Sequence, residues 1–170
     1  MRRACLLCAG LAALLLTGCA GYQLGPTGGV HAGARSVQVN FFTNQTPEPR
    51  LVEAVNSALR KRLSQDGTYR LDSKGEGDVL VTGVITRFDR SGITFQPGDI
   101  ITVRDYNLGM TAQIKIVERA TGKVLLDRLV SGRTTIRVGS DLSSAERQAV
   151  PLLAEDLARN ATSLLVDGTW

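Results

Sequence analysis

The sequence predicts an α+β protein: a two-layer sandwich with a mixed, mainly antiparallel sheet of about four strands, covered on one face by two helices. Two segments, one near residue 55 and one close to the C-terminus, carry apolar residues at helical spacing. Between them, long segments alternate apolar and polar residues with the period of a strand. A tight-turn sequence, Ala120-Thr121-Gly122, joins the last two of these segments. The predicted element order is therefore β-α-β-β-β-α, with or without a short additional strand at residues 69–72.

The first predicted strand covers residues 35–42, and its alternation predicts three buried side chains, Val37, Val39 and Phe41. Two prolines within residues 43–49 end this strand. A helix is predicted over residues 49–65, because apolar residues recur there every four positions and form one stripe. Gly67 is expected to terminate that helix.

Strands dominate the middle of the chain. Residues 69–72 predict a short strand. Three longer strands are predicted at residues 78–90, 101–118 and 123–137. The alternation predicts one buried and one solvated face, and the solvated face is expected to carry Asp105, Asn107, Gln113, Lys115, Asp127 and Arg133. Residues 91–100 contain two glycines and Pro97, so they are predicted to form the longest loop between strands.

The last predicted element is a helix over residues 144–166. Ser143 and Glu146 have the spacing of a capping box. Pro151 interrupts the helical pattern, so it predicts either a kink or the true start of the helix.

The N-terminus has the pattern of an export signal. Arg2 and Arg3 precede an uncharged stretch over residues 4–16, which is shorter than the roughly 20 residues needed to span a bilayer. Leu16-Thr17-Gly18-Cys19 resembles a bacterial lipobox, which implies cleavage before Cys19 and lipid attachment to its sulfur. The alternatives are an ordinary signal peptide or a short buried helix. The predicted organisation is a signal peptide at residues 1–18, a lipidated glycine-rich tether at 19–34 and a single domain at 35–170.

Composition excludes several functions. The 170-residue chain has a net charge of +4, which falls to +2 without Arg2 and Arg3. A clustered basic stripe would indicate nucleic-acid binding, and the sequence shows none. His31 is the sole histidine and lies in the tether, so no Ser/His/Asp site is expected. Cysteine and histidine spacing predicts no metal site. We therefore expect no enzyme and no cofactor other than the diacylglycerol and N-acyl chain on Cys19.

Basic residues are frequent on the predicted strands and at their ends. They are Arg87, Arg90, Arg104, Arg119, Lys123, Arg128, Arg133 and Arg137. Guanidinium groups pair well with phosphate, and the abundant phosphorylated ligand at an outer membrane is lipopolysaccharide. The alternative is ordinary surface arginine paired with nearby acidic residues, namely Asp89, Asp105, Glu118 and Asp127.

The ordered series of segments resembles the lipopolysaccharide-assembly lipoprotein family LptE. The segments are Cys19–Leu24 with its Gly-Tyr pair, residues 37–46, residues 78–85, the 121–125 turn and the Ala/Leu-rich closing helix. The resemblance implies an α/β sandwich anchored by lipid on the periplasmic side of the outer membrane.

The same resemblance implies a function. Such proteins plug the lumen of the β-barrel translocon LptD, help that barrel assemble and help deliver lipopolysaccharide to the outer leaflet. Basic residues near strand ends are the implied lipopolysaccharide contacts, here Arg104, Arg119 and Lys123. The alternative is another periplasm-facing lipoprotein, one that regulates a cell-wall synthase or forms part of a secretion pore.

Overall fold

A computed structural model describes residues 33–139 and 141–167. Within them, the chain forms six strands and two helices: β1 (Arg35–Val39), β2 (Thr43–Asn44), α1 (Leu51–Asp66), β3 (Tyr69–Asp72), β4 (Val79–Gln96), β5 (Asp99–Glu118), β6 (Val124–Arg137) and α2 (Leu142–Asp167). The predicted α+β class and the two helices are confirmed. The predicted count of about four strands is wrong, because Tyr69–Asp72 is a full member of the sheet and β2 was not predicted.

The sheet is mixed. Its strand order is β3-β1-β4-β5-β6, and β2 pairs with β4 outside this path. β1 is parallel to both neighbours, since Val37 is in register with Leu71 of β3 and with Val79 of β4. β4, β5 and β6 are antiparallel. Crossover through α1 produces the parallel part and short turns produce the antiparallel part.

Both helices pack on the same face of the sheet. The core between the layers includes Leu51 and Leu59 of α1, Leu153 and Leu157 of α2, and Ile114 of β5, each no more than 2 % exposed. The helices also contact each other, through Lys61 Nζ and Glu155 Oε1 at 2.7 Å among other groups. The opposite face of the sheet therefore lacks helical cover within the described residues.

Two glycines make the close packing of this core possible. A Cβ on Gly132 of β6 would lie 2.7 Å from both the Leu153 carbonyl oxygen and the Leu157 amide nitrogen of α2. A Cβ on Gly83 of β4 would overlap the ring of Phe42, which is 3 % exposed. Glycine thus lets a helix backbone approach β6 and an aromatic ring cover β4.

Two predictions about the strands are wrong. Phe41, predicted to be buried, is 71 % exposed and Phe42 is buried in its place, because β1 ends at Val39 and the alternation ends with it. Residues 91–100, predicted as a loop, mostly continue the β4–β5 hairpin: β4 extends to Gln96 and β5 begins at Asp99. Pro97 and Gly98 form the turn, and Gly98 supplies a φ of 81°.

The helix ends differ in how well they were predicted. Gly67 follows α1 with a φ of 76°, and its N–H donates to the Leu63 carbonyl, as expected. At α2 the capping residue is Asp141 and not Ser143: its carboxylate accepts hydrogen bonds from the Ser143 and Ser144 amides at 3.1 and 2.8 Å. Pro151 lies inside α2, so it does not mark the start of that helix.

Candidate functional site: the open face of the sheet

The face of the sheet opposite the helices, here called the open face, is formed by alternate residues of β4, β5 and β6. Strand register brings its polar side chains together: Asp105 lies opposite Arg137, Asn107 opposite Thr135, and Lys115 opposite Asp127. The face includes all six predicted solvated residues, Asp105, Asn107, Gln113, Lys115, Asp127 and Arg133. The predicted alternation of β5 is therefore confirmed.

Four of the charged side chains on the open face form two ion pairs. Arg137 Nε donates to Asp105 Oδ1 at 2.8 Å, and the hydroxyl of Thr94 donates to the other oxygen of the same carboxylate. Arg87 Nε lies 3.0 Å from Asp89 Oδ1. The Arg137 guanidinium, followed by the Thr94 hydroxyl, lowers the pKa of Asp105. Among the described residues, Lys115, Asp127 and Arg133 make no ion pair, so the open face combines ion pairs and hydroxyl groups with further charged side chains.

The tip of the β4–β5 hairpin has a different character. Ile93, Phe95 and Ile101 are 52 %, 50 % and 86 % exposed. Asp99 is the single charged residue between residues 91 and 103. Its carboxylate accepts hydrogen bonds from the Thr102 hydroxyl and from the amides of Ile101 and Thr102, the last two at 2.8 and 3.2 Å. The Thr102 hydroxyl lowers the pKa of Asp99 most, and the two amides lower it further. The tip is thus an exposed apolar arm, which sequence alternation alone did not distinguish from a loop.

The three predicted lipopolysaccharide contacts do not form one cluster. Arg104 lies on β5 near the hairpin tip, whereas Arg119 and Lys123 lie at the β5–β6 turn. Fifteen residues of extended strand, about 50 Å, separate Arg104 from Arg119. Arg119 has a structural role as well, because its Nε donates to the Gly77 carbonyl at 2.8 Å and its Nη2 donates to Gln38.

Several other predicted basic residues have acidic partners, as the alternative interpretation expected. Arg90 pairs with Glu146 of α2, and Arg137 and Arg87 pair on the open face. Within residues 33–139 and 141–167, five of the predicted basic residues make no ion pair: Arg104, Arg119, Lys123, Arg128 and Arg133. Of these, Arg104 and Lys123 lie at opposite ends of the hairpin that β5 forms with β6.

The predictions for the N-terminus lie outside the described residues. They comprise the signal peptide, most of the tether, lipid attachment at Cys19, and His31. In the part that the structure does describe, no three His, Cys, Asp or Glu side chains are grouped to hold a metal ion. The described helices include none that combines the length and apolarity needed to cross a bilayer.

The matching protein-family profile is described as "LptE: Lipopolysaccharide-assembly", and it covers residues 34–165, most of the chain and nearly all of the folded domain. The chain belongs to the LptE family. Membership places it in a family of lipopolysaccharide assembly, as the resemblance in the sequence indicated. No curated protein matches the sequence significantly.

Solved structures share the fold at low sequence identity. A hypothetical protein from Chlamydia trachomatis aligns with a TM-score of 0.55 at 9 % identity, covering 78 % of this chain and 96 % of that one. A putative lipoprotein from Caulobacter crescentus gives 0.52 at 11 %, with coverages of 74 % and 88 %. A minor lipoprotein from Acinetobacter baumannii gives 0.51 at 11 %, with 78 % and 93 %. At these identities the similarity concerns the fold.

Proposed function

We propose that this LptE-family protein is an outer-membrane lipoprotein, anchored through Cys19 on the periplasmic side, that plugs the lumen of an LptD-type β-barrel. In that position it assists barrel assembly and the transport of lipopolysaccharide to the outer leaflet. The observation that carries the proposal, beside family membership, is the open face. A barrel lumen is polar, and a plug inside it needs a hydrated surface.

Two surface features support a partner on this side of the molecule. Paired charges such as Arg137 with Asp105 tolerate contact with a polar wall, because neither charge is left unpaired when water is displaced. The apolar tip around Phe95 and Ile101 exposes side chains that association would bury. Together, the ion pairs of the open face and the apolar hairpin tip fit a partner that has a polar lumen and an apolar surface beside the tip.

Recovery of the partner tests the plug. The full chain is expressed in a Gram-negative envelope with a photo-crosslinking residue in place of Gln113 and is purified in mild detergent. We expect an outer-membrane β-barrel to co-purify and to form a covalent adduct at this position. Recovery of a cell-wall synthase, or of a ring of identical subunits, in place of a barrel would contradict the plug.

Lipid attachment is tested with a matched pair of cysteine variants. Labelled palmitate is expected in the native protein and in Cys8→Ser, because Cys8 lies within the predicted signal peptide. The label is expected to be absent from Cys19→Ser. Label retained in Cys19→Ser would show that a residue other than Cys19 carries the lipid, which would contradict the predicted anchor.

Charge reversal tests contact with lipopolysaccharide and shows which end of the sheet makes it. Arg104→Glu and Lys123→Glu are expected to weaken binding of purified lipopolysaccharide by tenfold or so at the contacting end, since each removes a charge-assisted contact. Arg62→Glu on α1 is the control. Arg119→Glu would also remove the contacts to Gly77 and Gln38, so it is a less specific test. Equal binding by all of these variants would contradict contact through these residues.

A further inference from the structure

A cleft of about 590 Å³ opens at the edge of the sheet where β3 ends. One of its lining residues, Gln38, also accepts a hydrogen bond from Arg119. Asp72, the last residue of β3, is in register with Gln38, and β1 continues beyond that pair to Val39. The chain leaves the sheet after Asp72, which exposes the carboxyl end of β1. A gap beside the carboxyl ends of parallel strands is a frequent location for ligand sites in open α/β sheets.

An exposed aromatic ring lies in this cleft. Phe41 is 71 % exposed, although the hydrophobic effect favours burial of a ring of this size. The guanidinium carbon of Arg60 lies 5.1 Å from the ring centroid, within cation–π distance. Arg60 is itself held by a 3.0 Å hydrogen bond from its Nη2 to the Val39 carbonyl. The ring and the guanidinium therefore form an ordered pair at the surface.

The charge balance in the cleft favours an anion. In the described ranges, Arg60 and Lys74 form no ion pair. The carboxylate of the cleft, Asp72, accepts hydrogen bonds from the amides of Gly75 and Glu76, both at 2.8 Å. Its negative charge is thus compensated locally by backbone dipoles, while Arg60 and Lys74 contribute two positive charges to the lining.

Polar groups suited to hydroxyls complete the lining. Gln38 Nε2 donates to Asn40 Oδ1 at 2.7 Å, which orients the Asn40 amide and leaves its own NH₂ group to donate. Ser73 adds a hydroxyl to the same wall. An aromatic ring, a guanidinium held in place, a second cation and an oriented amide group in one cleft of this volume are typical of a small-molecule site.

We propose that this cleft binds an anionic sugar. The apolar face of the sugar ring packs on Phe41, its phosphate or carboxylate lies between Arg60 and Lys74, and its hydroxyls meet Asn40 and Ser73. The cleft lies at the β3 end of the sheet, away from the hairpin tip and from β6, so its occupancy can be measured separately from barrel binding.

Titration of the full chain in detergent micelles tests the site. The ligands are N-acetylglucosamine 1-phosphate and N-acetylmuramic acid, which carry the anion as phosphate and as carboxylate, with N-acetylglucosamine and inorganic phosphate as controls. Amide chemical shifts of residues 38–41 and 73–75 report binding. We expect one or both anionic sugars to bind at least tenfold more tightly than either control, and the stronger one identifies the anion. Failure of both to shift these amides, or equal binding by a control, would overturn the proposal.

Two variants in the cleft, each with a matched control elsewhere on the surface, test which side chains contribute to sugar binding. Phe41→Ala and Lys74→Gln are expected to weaken binding of the preferred sugar at least fivefold without lowering the unfolding midpoint, because both side chains are exposed. The matched controls Phe95→Ala, at the hairpin tip, and Lys115→Gln, on the open face, should bind normally. Unchanged binding in Phe41→Ala and Lys74→Gln would overturn the site. Recovery of a barrel partner by Lys74→Gln is measured separately, so the two proposals can fail independently.

Discussion

At the scale of single residues, Asp78 and Ser36 join the parallel part of the sheet. The Asp78 carboxylate accepts hydrogen bonds from the Ser36 amide and hydroxyl at 2.8 and 2.7 Å, and the Asp78 amide donates back to the hydroxyl at 3.0 Å. The Ser36 amide, followed by its hydroxyl, lowers the pKa of Asp78. These bonds connect β1 to the start of β4.

The lowered pKa of Asp78 predicts a pH-dependent contribution to stability. The folded state holds a proton on Asp78 less readily than the unfolded state, so this stabilisation is complete above the unfolded pKa near 3.8 and is lost as pH falls through the folded pKa. Asp78→Asn should therefore lower the melting temperature at about pH 7 and do so less at about pH 2. Thermal melts across this range test it, and Ser36→Ala should show a weaker form of the same trend. A difference that stays constant with pH would contradict the assignment.

Gly132 allows α2 to contact β6, and its replacement should be costly. In Gly132→Ala the new Cβ meets backbone atoms of Leu153 and Leu157, which cannot rotate away as a side chain would. We expect a loss of about 1–3 kcal/mol in the free energy of unfolding, measured with urea. Gly139→Ala is the control: its Cβ would find nothing within 4 Å, so a change within about 0.5 kcal/mol is expected. Equal stability of the two variants would contradict the close approach.

At the scale of elements, α2 continues through a proline. Pro151 has no N–H, so it donates no helical hydrogen bond to the carbonyl of Arg147, four residues earlier. Contacts of the apolar face, including Val150 and Leu153, compensate for this loss. Tertiary packing thus maintains one continuous helix, although the proline by itself favours a break at residue 151.

Restoring the missing donor should stabilise the helix. Pro151→Ala is expected to raise the free energy of unfolding by about 1–3 kcal/mol, because the new N–H can donate to Arg147 and the ring no longer crowds the preceding turn. Urea denaturation measures the change. Leu152→Ala, at a side chain that is 56 % exposed, should alter stability by about 0.5 kcal/mol or less. An unchanged midpoint in Pro151→Ala would mean that the helix had already adjusted around the proline.

At the scale of the whole molecule, helix α2 also protects an edge of the sheet. β6 is an edge strand, and unpaired backbone groups on such strands promote association with other chains. Asn160 Nδ2 donates to the Ser131 carbonyl at 2.8 Å, and the Arg133 amide donates to Asp156 Oδ2 at 2.9 Å. Helix α2 therefore covers the core and also provides hydrogen-bond partners for two backbone groups in the middle of edge strand β6.

Removal of these two edge contacts should expose β6. The double variant Asp156→Ala/Asn160→Ala is expected to self-associate more than the native protein, measured as a concentration-dependent rise in mass by light scattering. Arg159→Ala is the control, since it removes the ion pair with Asp156 at 2.8 Å but keeps both edge contacts. Equal mass at all concentrations for the double variant and the control would contradict a protective role.

The accuracy of the sequence-based predictions follows from how local each signal is. Helix α1, its end at Gly67, and the two faces of β5 depend on spacing within a few residues, and these predictions were confirmed. The burial of Phe42 instead of Phe41 depends on where β1 ends, which pairing with β4 decides. The β4–β5 arm was predicted as a loop because glycine and proline are local signals for turns, whereas strand pairing across the sheet extends through most of that segment.

The candidate sites show the same division. Basic residues at strand ends were identified from the sequence, but their separation along β5, and the structural contacts of Arg119, required the strand register. Phe41 was expected in the core, so the cleft beside Arg60 was not foreseen. Composition contains no signal for that cleft, since its residues come from β1, α1 and the segment after β3.

The sequence by itself determined the α+β class, both helices, the solvated face of β5 and the resemblance to the LptE family, because periodicity and ordered motifs are properties of contiguous residues. The tertiary structure alone decided the six-stranded order, the exposed hairpin arm, which arginines form ion pairs, and the cleft at the end of β3. These features depend on contacts between residues far apart in the chain, whose free energies are set by packing and burial, and local patterns do not encode them.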